Sequence, residues 1–239
     1  MDDTLNWIRK YWLGGILASP EPAYELLDDY WENFWNPKGR RLEFIQQRIA
    51  KKFASVYREV EEYEPKNRHE KIALLILYYF LSPFVYPTEE ATAFLYQERG
   101  LKIARQLIMN QQDINRGPIH YLILVCTCLA RSEYLLDLDN AYRIVVCLMW
   151  PDSQGDETED EILEKKILRE KQFSTYESEK HLKEEGVKIP LVLERLGLMI
   201  RKQIRKVQLF NRDPDQNFTR GRLCTKAELA YLGIISHVN

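Results

Sequence analysis

The sequence predicts an all-α protein, and three observations carry that prediction. Apolar residues recur at three- and four-residue steps along most of the chain, which is the spacing of one helix face. Only ten Gly and ten Pro occur in 239 residues. That is too few for a β-sandwich or barrel, which needs a turn about every eight to twelve residues. The apolar segments are also bracketed by residues that start and stop helices, with Asp, Asn or Thr before them and Gly or Pro after. With 45% hydrophobic and 29% charged residues, the composition is that of a globular chain rather than a disordered one.

The elements follow in order. Asp2 or Asp3 caps a first helix carrying Leu5, Ile8, Trp12 and Ile16, weakened at its end by Gly14 and Gly15. Pro22 suits the first turn of a second helix that runs to about residue 35, because proline's missing N–H has no partner there anyway. Residues 41–63 place Leu42, Ile45, Ile49, Phe53, Val56 and Val60 on one stripe, and Pro65 ends that helix. Asn67 caps the next, whose segment 72–81 is apolar on nearly every side and so belongs at the centre of the fold. Thr88, with Glu89 and Glu90 at the positive dipole end, opens a helix that Gly100 is expected to split. Gly117-Pro118 opens a buried helix through Ala130, and Asp137 or Asp139 opens another that Pro151 stops. A final helix is expected over 225–235.

Charge divides the chain. Residues 1–151 read as a helical core domain, 152–188 as an acidic and polar helical connector, and 189–239 as a basic C-terminal helical segment. Between 152 and 164 lie seven acids (Asp152, Asp156, Glu157, Glu159, Asp160, Glu161 and Glu164) and no base. Between 195 and 226 lie nine bases (Arg195, Arg201, Lys202, Arg205, Lys206, Arg212, Arg220, Arg222 and Lys226) against Asp213 and Asp215. Net charge is only −2, so any polyanion would have to be bound by this local cluster.

At about 100° per residue, 190–210 forms an amphipathic helix. Val192, Leu193, Leu196, Met199, Ile200, Ile204, Val207 and Phe210 share one arc, which should dock on the core. Arg195, Arg201, Lys202, Arg205 and Lys206 share the opposite arc and should remain outside. With Arg212, Arg220 and Arg222 they are the candidate nucleic-acid-binding residues. Neutralising five phosphates of a single strand would give a salt slope of about −3.5. Only Phe210 and Phe218 lie nearby for base stacking, which favours backbone contact over sequence readout. The same cations could instead pair with the acidic run. Trp31 and Trp35 share a helix face in an aromatic-rich N-terminal region and are candidate partner-binding residues.

Catalytic signals are sparse. Asp28-Asp29-Tyr30-Trp31-Glu32 resembles the aspartate-rich motif of the all-helical isoprenoid-diphosphate enzymes. That resemblance covers five residues and implies Mg²⁺ held by Asp28 and Glu32; no second metal-binding triad accompanies it. Arg116 and His120 resemble the Arg–His pair of helical RNA-cleaving domains at a shorter spacing, and His120 is expected to bond backbone at a helix start. Residues 225–234 resemble the first helix and turn of a helix-turn-helix, with one residue between Ala230 and Leu232 where that family has two. Phosphate-cradling glycine loops, the nucleophile elbow and zinc-type His motifs are absent. No catalytic residue, metal ligand or cofactor is therefore predicted.

Cys126, Cys128, Cys147 and Cys224 have no C-x-x-C or zinc spacing, which fits a reducing compartment. The acidic N-terminus lacks an apolar signal region, and the apolar stretch 72–86 is too short to span a bilayer. A cytoplasmic location without membrane contact is expected. The function expected first is a non-enzymatic accessory or assembly protein contacting RNA or a ribonucleoprotein. A helical protein–protein adaptor, with self-association possible, comes second, and a metal-dependent lyase or nuclease third.

Overall fold

The computed structural model describes residues 2–18, 24–32, 40–109, 118–149 and 190–234. Among them the structure is helical, with no strand. The fold is all-α. The elements are α1 (Asp2–Leu13) with a 3-10 turn at Gly14–Ala18, α2 (Tyr24–Tyr30), α3 (Arg40–Phe53) and α4 (Val56–Glu59). They continue with α5 (Arg68–Leu75), a π-helical turn (Ile76–Leu81), α6 (Ser82–Val85), α7 (Glu90–Met109), α8 (Ile119–Leu129), α9 (Leu135–Met149), α10 (Leu191–Phe210) and α11 (Lys226–Tyr231). The acidic run and the rest of the expected connector lie outside the described residues, as do Trp35 and Arg116.

The centre is where the apolar run places it. Every residue from Ile72 to Ser82 is buried, and α1 and α7 pack on this stretch. The predicted single helix over 41–63 is interrupted at Ala54–Ser55. The turn directs Tyr57 into the core, where its hydroxyl donates to the Leu77 carbonyl at 2.5 Å. Tyr78 returns a bond to the Val60 carbonyl at 3.0 Å, and Ser82 Oγ donates to the Tyr78 carbonyl at 2.6 Å. These side chains bond carbonyls in and around the π-helical turn, where the regular α ladder is relaxed.

Gly100 does not split α7. Its role is close approach: a Cβ there would meet the Tyr79 Cβ at 2.9 Å and the Tyr79 backbone nitrogen at 3.1 Å. α10 docks on α9 as its apolar arc predicts. Val192, Leu193, Leu196, Ile200 and Val207 are buried and join the same hydrophobic core as α1, α5 and α8. Gly197 allows the Met149 methyl and Val145 to approach the helix backbone. Asn211, in the left-handed conformation, closes α10 with an N–H to the Val207 carbonyl.

Candidate interaction surface

α10 is anchored at its first turn by two acids, Asp28 on α2 and Glu32 just beyond the end of α2. Asp28 accepts from the backbone N–H groups of Val192 at 2.7 Å and Leu191 at 3.2 Å. These groups have no partner inside the helix, and a carboxylate is favoured at that end of the dipole. One turn beyond Asp28, Glu32 pairs with Arg195 at 2.7 Å. Asp28 and Glu32 thus hold the basic helix against the core. Trp31, between them, is 2% exposed, so it lies in the core rather than on a partner-binding surface.

Beyond α10 the chain forms a strap, 211–234, tied down by ion pairs. Arg212 grips Glu228 with two parallel bonds, both 2.6 Å. Glu228 also closes the Thr225 capping box of α11. Those Arg212 bonds hold the buried Glu228 carboxyl far below the ordinary carboxylate range, against the opposing effect of its burial. Arg222 binds both oxygens of Glu133, in the link between α8 and α9, at 2.6 and 3.1 Å. The Asp213 N–H adds a third bond to Glu133 at 2.8 Å. Arg220 reaches Glu98 of α7 at 2.7 Å and covers the Phe94 ring at 4.5 Å.

Lys206 pairs with Asp213 at 3.2 Å and with Asp215. Burial opposes its charge, and the two carboxylates outweigh that and raise its pKa. Asp213 is itself buried and accepts from Gln203 at 3.0 Å.

The eight predicted cations therefore divide. Arg195, Lys206, Arg212, Arg220 and Arg222 are paired with carboxylates of the same molecule. Arg201 is half-buried and has contacts of its own. Lys202 and Arg205 are exposed on α10, with no ion-pair partner among the described residues.

The strap presents several large apolar side chains outward among its polar ones. Phe218 is 87% exposed and Leu223 92%. Between the strap and α7 runs an open groove of about 470 Å³ lined by Ala91, Phe94, Leu95, Thr219, Arg220 and Arg222. Leu95, in this lining, is 65% exposed. Large side chains this open, beside a groove whose arginines are already paired, fit a protein contact better than a phosphate cradle.

The chain matches no family model, no curated protein and no solved structure.

Sequence reasoning identified the basic residues but missed their partners Glu98, Glu133 and Glu228, and the apolar Leu95, Phe218 and Leu223. The Thr225-x-x-Glu228 capping box was a readable signal. Glu98 and Glu133 carried none, because they meet the strap only through tertiary packing. His120 stands at the start of α8 as expected, yet it is buried and neither ring nitrogen has a hydrogen-bond partner.

Proposed function

We propose that this chain is a non-enzymatic helical adaptor that binds another protein through the apolar side chains Leu95, Phe218 and Leu223 around the α7–strap groove. The observation that carries the reading is the pairing of Arg212, Arg220 and Arg222 with Glu228, Glu98 and Glu133. A phosphate backbone would have to displace these close carboxylates. A protein partner need only cover the exposed apolar groups, and the ion pairs keep the strap in place while it does so.

The test is site-specific photo-crosslinking. A photoreactive residue at 218 should capture one defined partner in cell extract, and Leu95→Asp with Leu223→Asp should abolish the adduct. If the adduct pattern is unchanged by that double substitution, the surface is not the docking site. A ladder of multiples of the chain's own mass would identify the partner as a second copy.

A second reading, contact with RNA or a ribonucleoprotein, is supported by exposed Lys202 and Arg205. Two phosphate contacts correspond to a salt slope of only about −1.4 on a single strand, against about −3.5 for five. Binding of labelled RNA at two salt concentrations distinguishes the two. If Lys202→Glu with Arg205→Glu leaves RNA affinity and slope intact, this reading fails.

A further inference from the structure

Two arginines that fasten the strap stand at fixed spacings before an exposed hydroxyl. Arg220 and Arg222 precede Thr225 by five and three residues. Thr225 is exposed, and residues 222–225 lie outside any helix. The Thr225 backbone is extended, with φ −73° and ψ 164°. An extended segment with arginines at these two positions before a threonine is the pattern that arginine-directed protein kinases recognise. Such enzymes hold each guanidinium against carboxylates of the substrate groove, and so read charge along the chain.

The closed strap withholds those arginines. Arg222 is held by Glu133 at 2.6 and 3.1 Å, and Arg220 by Glu98 at 2.7 Å. Glu98 and Glu133 offer the chemistry that a kinase groove offers, so the two compete for the same groups. Opening the strap frees both arginines and the threonine together, because one short segment carries all three.

Thr225 also sits where added charge acts on the closure itself. Its Oγ accepts from the Glu228 N–H at 3.2 Å, and its own N–H donates to the Glu228 carboxylate at 2.7 Å. That carboxylate is buried and depends on Arg212, whose Nη2 also reaches the Leu223 carbonyl at 3.1 Å. A phosphate on Thr225 would carry about −1.5 to −2 charges at pH 7. If Arg212 stays on Glu228, the phosphate and that carboxylate stand side by side as like charges. If Arg212 turns to the phosphate, Glu228 is left buried and unpaired. Both arrangements disfavour the closed strap.

We propose that Thr225 is a phosphorylation site for an arginine-directed serine/threonine kinase, which acts on the opened strap and whose product keeps it open. In the step, Thr225 Oγ attacks the γ-phosphorus of Mg²⁺-bound ATP. The Oγ–P bond forms as the bond from that phosphorus to the β–γ bridging oxygen breaks; the hydroxyl proton passes to the catalytic carboxylate of the kinase, and ADP leaves. Arg220 and Arg222 fasten the strap when it is closed and are the recognition groups when it is open.

The experiment incubates the full chain with protein kinase B and Mg²⁺-ATP, and follows the rate and position of phosphorylation by mass spectrometry. Phosphate should appear on Thr225 and be lost from that segment in Thr225→Val. Glu133→Gln and Arg222→Gln both loosen the strap, but only the second removes a recognition group. Glu133→Gln should therefore speed the reaction about tenfold, whereas Arg222→Gln should slow it about tenfold. In the phosphorylated chain the Arg222 and Gly221 amides, bonded to the Asn217 and Phe218 carbonyls, should exchange with solvent about tenfold faster than in the unmodified chain. Absence of phosphate on Thr225 in both the unsubstituted chain and Glu133→Gln overturns the site. A rate unchanged by Arg222→Gln overturns recognition through the arginines, and one unchanged by Glu133→Gln overturns the need for opening. Equal amide exchange before and after phosphorylation overturns the switch.

Discussion

Replacing Glu133 by Gln should loosen the strap from the core without unfolding the core. The side chain accepts two bonds from Arg222 and one from the Asp213 N–H, and it lies 3.5 Å from Arg220. It is 13% exposed, so solvent screens these contacts only in part. A hydrogen bond to a charged group contributes about 1.5–3 kcal/mol. Gln keeps one acceptor oxygen, and Arg220 keeps Glu98, so the net loss should be about 2 kcal/mol. That corresponds to roughly a 30-fold rise in the opening equilibrium of 211–234. Amide hydrogen exchange reads it directly. The Arg222 N–H, bonded to the Asn217 carbonyl at 2.7 Å, and the Gly221 N–H, bonded to Phe218 at 3.0 Å, should exchange faster by that factor. The amides of Val125 and Cys126 in α8 should not change. An acceleration below about threefold would refute the view that Glu133 is the main tie between core and strap. Equal acceleration in α8 would show that strap and core open as one unit.

Three further outcomes are expected. Gly100→Ala should lower stability by up to about 2 kcal/mol, read from the urea midpoint, because overpacking against Tyr79, about 1–3 kcal/mol, outweighs the gain of about 1 kcal/mol in helix propensity. A stabilised variant would contradict the close approach. His120 has its pKa pushed down to about 4, chiefly by burial and then by Arg9. The unfolded chain therefore takes up this proton near pH 6.5 while the native state refuses it, and stability falls between about pH 6.5 and 4. His120→Leu should flatten that stretch of the stability curve and cost nothing at pH 7, since neither ring nitrogen has a partner; an unchanged slope would assign it to other groups. Glu228 has a depressed pKa, so its contribution is fully present above the ordinary carboxylate range and is lost as pH falls below it. Glu228→Gln should remove that acid-dependent loss from the strap, measured by exchange of the Leu229 and Leu232 amides at pH 5 and pH 3, and an identical pH response in the variant would argue against it.

Local patterns made much of the architecture readable. The stripe in 190–210 identified the face of α10 that meets α9, because burial of a helix depends on periodicity that sequence displays. The apolar run 72–81 located the centre for the same reason. The break between α3 and α4 was not readable, since the Tyr57–Leu77 hydrogen bond that accompanies it forms only in the tertiary fold. Gly100 was misread as a helix breaker because its role depends on how closely Tyr79 packs against it. Trp31 was misassigned to a surface because an aromatic looks the same in sequence whether it faces the core or a partner.

The sequence by itself determined an all-helical chain with a basic amphipathic helix near its end, since helical period and charge are properties of neighbouring residues. Only the tertiary structure decided what those charges do. Glu32, Glu98 and Glu133 lie 163, 122 and 89 residues from Arg195, Arg220 and Arg222, and folding brings each pair to within 2.7 Å. Ion pairing depends on separation in space, which a charge pattern along the chain does not contain. The tally of cations therefore suggested a surface for phosphates, and the fold pairs five of those eight with carboxylates of the same molecule, four of them in pairs that involve the strap.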